Sequence, residues 1–139
     1  METHWEHFAH GADLGIRGVG MTREEAFEQA ALALSAAVTD PSKIAPDTAV
    51  TVVCEGPDDR FLLVGWLNAL IYEMAVRKML FSRFKVTIDG ATLHGQAWGE
   101  LVDPRRHEPG VEPKGATYTA VAVNRAPDGA WVAQCVVDV

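Results

Sequence analysis

Two aspartates stand where their type could do chemistry. Asp13 sits among small residues in "HGADLGIRG", His10 to Gly18, and Asp138 closes the apolar run "CVVDV" just before Val139. If the C-terminal strand runs beside the N-terminal segment, both carboxylates and the main-chain or terminal oxygens of Val139 converge. Like charges crowded together are costly unless a cation neutralises them. An all-oxygen donor set selects a hard divalent cation, Ca2+ or Mg2+ with Mn2+ as a further choice, over zinc. A turn aspartate and a solvated chain end would have the same residues, and spacing alone leaves both readings open.

Three other sets are candidates. His4, His7 and His10 recur every third residue, a spacing that suits zinc on a helix but alternates faces on a strand. No cysteine or further histidine nearby completes a tetrahedral set. The polar stretch from Gly99 to Ala116 carries Glu100, Asp103, His107, Glu112 and Lys114. Its acids and histidine could serve general acid–base work or belong to a solvated loop. Lys114, between Pro113 and Gly115, is a long cation able to reach a phosphate or a partner's carboxylate. Asn68 follows Trp66-Leu67, and a structural hydrogen-bonding role is expected for it. No nucleophile with an adjacent base stands out: Ser35, Ser42 and Ser82 lack an elbow sequence. Cys54 and Cys135 lie in apolar, strand-like runs without basic neighbours and are expected to be reduced, buried thiols.

Those residues need elements to hold them. Short extended pieces are predicted at Trp5–Phe8 and Leu14–Val19. Thr22 with Glu25 forms a capping box, and Phe27, Ala30, Ala31, Leu34 and Val38 follow at helical spacing. Pro41 ends that helix. Ala49–Glu55 alternates as a strand. After Gly56-Pro57-Asp58-Asp59, a second helix carries Leu63, Trp66, Leu67, Leu70, Ile71 and Met74 on a broad apolar face and runs to about Met79. Phe84–Ile88 and Ala91–Trp98 form a hairpin around Asp89-Gly90, a pair suited to a type I′ turn. Gly99–Ala116 is predicted as one long loop. Strands at Thr117–Val123 and Ala130–Val137 close the chain around Pro127-Asp128-Gly129. The order predicts an α+β domain over residues 1–139, with a mostly antiparallel or mixed sheet and two main helices packed on it. The glycines of "GIRGVG" do not have dinucleotide or P-loop spacing.

Composition narrows the function classes. At 139 residues, 48% hydrophobic and 22% charged, the chain is of ordinary globular make-up and long enough for a real core. A net charge of −7 argues against sequence-blind binding to a nucleic-acid backbone and suits a cation or a basic protein surface. No apolar run is long enough to cross a membrane, and the N-terminus lacks a secretory pattern, so a cytoplasmic protein with no membrane partner is expected.

Several stretches together resemble the archease family: "HGADLGIRG", "EEAFEQAALAL", "FLLVGWLNALIYE", then "GE", "DPRRH", "EPKGATYT" and the final "WVAQCVVDV". The combination of His-x-Ala-Asp, Trp-Leu-Asn, Lys-x-x-Thr-Tyr and a terminal Asp-Val is specific and spans nearly the whole chain. The resemblance implies an accessory factor, not itself an enzyme. Its partner would be the RtcB-type RNA ligase of tRNA splicing and RNA repair, whose guanylylation and multiple turnover it would promote. GTP and RNA would be contacted only through the ligase. It also implies metal ligation by Asp13, Asp138 and Val139, and a role for Lys114 in activating the partner. Two positions depart from the family pattern: Gly11 stands where Thr is common, and Thr119 where His is frequent. His10 and His107 are the candidates to stand in for that histidine. A metal-dependent hydrolase and a chaperone-like modulator of nucleic-acid-processing proteins are the alternatives.

Overall fold

The structure, a computed structural model, describes residues 2–139. Strand β1 (His4–His10) turns through Gly11-Ala12 into antiparallel β2 (Asp13–Gly20), with His10 paired to Asp13. Gly11 has φ +60°. A type II′ hairpin turn asks for positive φ at its first central residue, so glycine there matches the backbone's need. Helix α1 (Arg23–Val38) begins as predicted, with the Thr22 side chain accepting the Glu25 N–H at 3.1 Å. A short 3-10 turn at Pro41–Lys43 leads to β3 (Thr48–Glu55). Helix α2 (Asp59–Arg77) is capped by Asp58, whose carboxylate accepts the N–H groups of Arg60 and Phe61. Then follow β4 (Met79–Asp89), β5 (Thr92–Leu101), the one-turn helix α3 (Pro104–His107), β6 (Gly115–Ala116), β7 (Ala122–Arg125) and β8 (Trp131–Asp138).

The class is α+β, as expected, but the strands form two antiparallel sheets instead of one. The first has the order β1–β2–β8–β6, with β7 also on β8; the second is β3–β5–β4. Both helices touch both sheets: α1 rests on β2, β8 and β4, and α2 on β3, β5 and β6. A helix covered from two sides needs a wide apolar surface. Accordingly Ala26, Phe27, Ala30, Ala31, Ala33 and Leu34 are all buried in α1. Where β2 crosses α1, a Cβ on Gly18 would lie 2.1 Å from the Ala26 carbonyl oxygen. The glycines of "GIRGVG" thus include one required for backbone contact between strand and helix. Trp66 ties the layers together. Its indole N–H donates to Phe27 O at 3.1 Å, and its ring meets Phe84 edge-on at 6.1 Å.

Four local expectations change. Helix α2 stops at Arg77, where Lys78 turns left-handed (φ 56°), and β4 starts at Met79, five residues earlier than predicted. The hairpin turn is Gly90-Ala91, because Asp89 pairs with Thr92 and only Gly90 has positive φ. The stretch from Gly99 to Ala116 is not a single loop. Residues 99–101 finish β5 by pairing with Met79–Phe81, α3 follows, and β6 ends it. Thr117–Val123 is not a continuous strand, since Ala120 at φ 54° breaks it and pairing resumes at Ala122. Among the described residues, no helix is long and apolar enough to cross a membrane.

Candidate functional site

The β2–β8 pairing decides how the chain's two ends meet. Leu14 pairs with Val137, so the next position along the ladder sets Asp13 opposite Asp138. Across the tight turn, His10 pairs with Asp13. Cross-strand partners share a face of the sheet. His10, Asp13 and Asp138 therefore form one row, on the face opposite the core-packed Leu14 and Val137. Asp13 Oδ1 accepts the Val139 N–H at 3.4 Å, a long bond that leaves the carboxylate weakly engaged.

On the other edge of β8, Gly115 pairs with Asp138 and the Lys114 N–H donates to Asp138 O at 2.8 Å. Lys114 is exposed at the end of a strap from Glu108. The strap is anchored midway by Gly110 N–H donating to Val38 O at 2.8 Å. Asp13, Asp138, Val139 and Lys114 thus meet at one end of the first sheet. None of the ion pairs among the described residues involves Asp13, Asp138 or Lys114.

The donors here are all oxygens, the kind that hard cations take. They comprise only two side-chain carboxylates. Among the described residues, no three His, Cys, Asp or Glu side chains gather as a metal cluster. A cation at this end would have to complete its shell with main-chain or terminal oxygens of Val139 and with water, as Mg2+ commonly does.

His107, by contrast, is fully buried and occupied. Its Nδ1 accepts the Asp103 N–H at 2.8 Å, so its Nε2 carries the hydrogen and donates to Glu100 Oε2 at 2.9 Å. Thr39 Oγ1 donates to its carbonyl. Glu100 also accepts from Arg106 and from the Ala45 N–H. Arg106 first, then Ala45 and His107, hold the Glu100 carboxyl down at about 2. The histidine and acids of this segment brace α3 against β5 and residues 43–45, and His107 is not brought to the row at Asp13. The three N-terminal histidines also part company. His7 donates to Ala33 O on α1 at 2.7 Å. His4 bonds Glu2 O at 2.8 Å and Glu6 at 2.7 Å, which together raise its pKa, the Glu2 bond most. The two cysteines are unpaired, and burial pushes the Cys135 thiol up to about 12.

Asn68 is the residue whose task spacing could not specify. Its amide meets both polar groups of the Ala116 backbone: Oδ1 accepts the N–H at 2.8 Å and Nδ2 donates to the carbonyl at 3.1 Å. The only sequence signal was an amide within the long apolar run from Phe61 to Ile71 of α2.

The Archease protein family (MTH1598/TM1083) matches residues 5–139. The chain belongs to the archease family. The archease of Pyrococcus furiosus is 44% identical over 139 residues, covering 97% of this chain and 98% of that one. The solution structure of protein 1598 from Methanobacterium thermoautotrophicum superposes with a TM-score of 0.82 at 34% identity, over 97% and 98% of the two chains. A crystal structure from Thermotoga maritima, described as an archease and "possible chaperone", shares the archease fold at a TM-score of 0.61. It is 18% identical over 96% of each chain.

Proposed function

We propose that this archease is an accessory protein that activates an RtcB-type RNA ligase in tRNA splicing and RNA repair. It would promote the ligase's guanylylation and repeated turnover, and contact GTP and RNA only through the ligase. Asp13, Asp138 and Val139 would hold a divalent cation, Ca2+, Mg2+ or Mn2+, with Lys114 beside it. The observation that supports this most is the convergence of Asp13 and Val139, 126 positions apart, with Asp138 and Lys114 at one solvent-facing end of a sheet. Carboxylates and an ammonium outside every ion pair among the described residues are available to a second molecule, whereas those around Glu100 are consumed internally. A cation bound there supplies positive charge that neutralises the facing carboxylates. Lys114 adds a mobile cation able to approach a phosphate. Asp13 and Asp138 orient through the β2–β8 ladder, and Lys114 through its main-chain bond to Asp138.

The deciding experiment measures guanylylation of the cognate ligase with GTP and Mn2+, with and without this protein. Stimulation by the wild type that is lost in Asp138→Ala is the expected result. Absence of stimulation, or full stimulation by the variant, would remove the proposal.

A further inference from the structure

We infer that Asn68 is a positioning residue for Lys114, an inference that rests on the ligase-activation reading above. Strand β6 is only two residues long, too short to hold itself in place. One edge is pinned to β8, through Lys114 N–H to Asp138 O and through Thr117, whose N–H and hydroxyl both donate to Val136 O at 3.0 and 2.8 Å. The other edge has no neighbouring strand among the described residues. There the N–H and C=O of Ala116 point towards α2, and Asn68 meets both with one side chain. An amide is the group that suits this task, because it offers a donor and an acceptor in one plane, as a passing backbone would.

The consequence reaches the site. Lys114 lies two residues before Ala116, and Gly115 between them allows the chain to swing. With both edges fixed, the Lys114 Cα is held beside Asp138, and the long side chain starts from a set point. Without the clamp, β6 keeps one edge, and Lys114 samples positions away from the carboxylates. The strap from Glu108 to Pro113 offers little correction, since its main-chain bonds among the described residues lie at its far end, from Glu108 N–H to Pro104 O and from Gly110 N–H to Val38 O. Asn68 is exposed on α2 and contributes to no part of the apolar core. Its loss costs some stability through the Ala116 groups but opens no hole in the core, so its effect on function passes through Lys114 and is read on the folded protein.

The test is a double-mutant cycle on ligase guanylylation, with Asn68→Ala, Lys114→Ala and the pair, each checked by thermal melting and used below its transition. Asn68→Ala should lower maximal stimulation about tenfold while leaving the half-saturating concentration of this protein unchanged. The double variant should be no worse than Lys114→Ala alone, because a positioning residue has nothing left to position. Asn68→Asp keeps the shape and the acceptor but loses the donor to Ala116 O, and should fall between Asn68→Ala and wild type. Losses that add in the double variant, or full stimulation by Asn68→Ala, would overturn the clamp while leaving ligase activation intact. A wild-type protein that does not stimulate its ligase would remove both.

Discussion

At the α3 corner, Glu100, Arg106 and His107 are bonded to one another and to the backbone. At the end of the first sheet, Asp13, Asp138 and Lys114 take part in none of the ion pairs among the described residues. The residue types are the same: carboxylates, a cation and a histidine, His10 being the one beside Asp13. In sequence the first group looks the more reactive, because its acids and histidine crowd into eight residues. The fold reverses that ranking. Groups close in sequence satisfied each other and became a brace, whereas groups contributed by opposite ends of the chain met at a sheet end with their charges facing outward. Local clustering of reactive types is a weak guide when the cluster can close on itself; unmet charge brought together by tertiary pairing is a stronger one.

This contrast can be broken in order of effect. Asp138→Ala or Asp13→Ala should weaken divalent-cation binding by at least about 100-fold, since losing even an outer-shell partner of a ligand costs 10–100-fold. Calorimetric titration checks this, and melting should barely move for exposed Asp138→Ala, with a slightly larger shift for half-buried Asp13→Ala, which loses the bond from Val139 N–H. His107→Ala should do the opposite. It leaves a cavity where a fully buried ring stood and an unpaired, part-buried Asp103 N–H, for a loss of about 2–4 kcal/mol in chemical denaturation. Stimulation of the ligase per folded molecule should be unchanged. Asn68→Ala should cost about 1–2 kcal/mol, from the unpaired Ala116 groups, and should speed amide hydrogen exchange at Ala116.

A pH series sharpens the same comparison with a smaller signal. Glu100 titrates at about 2 in the folded protein against an ordinary 4.5, through Arg106 first. A depressed carboxylate stabilises the fold fully above its unfolded value, and that contribution fades as pH falls from about 4.5 through about 2. Glu100→Gln should therefore flatten the acid limb of stability in that window. If the limb is unchanged, the α3 brace does not depend on the Glu100 charge. Removing Val139 should weaken cation binding more than Val139→Ala, because only deletion removes the main-chain groups that lie against Asp13.

Much of the fold was legible locally. Thr22 and Asp58 announced the helix starts because a cap acts on the next two or three residues. The apolar spacing in both helices anticipated their broad burial. Misreadings fell where distant pairing overrides local preference. Met79–Phe81 continue the apolar helical spacing of α2, yet they pair with Gly99–Leu101 and become strand. Gly99, Glu100 and Leu101 lack the look of a strand for the same reason, since their ladder partners lie about twenty residues earlier. Asp103-Pro104 could have signalled α3, as a capping aspartate followed by proline at the first helical position.

By itself the sequence determined the α+β class, because composition, caps and periodic burial are properties of nearby residues, while the resemblance of its motifs to the archease family marked Asp13, Asp138 and Lys114 as the residues worth watching. Only the tertiary structure decided that there are two sheets, that His107 is a brace, that Asp13 faces Asp138, and that Asn68 holds β6. Each of these depends on a ladder or hydrogen bond between residues far apart in the chain. Such partners leave no trace in local spacing until the backbone brings them within about 3 Å of each other.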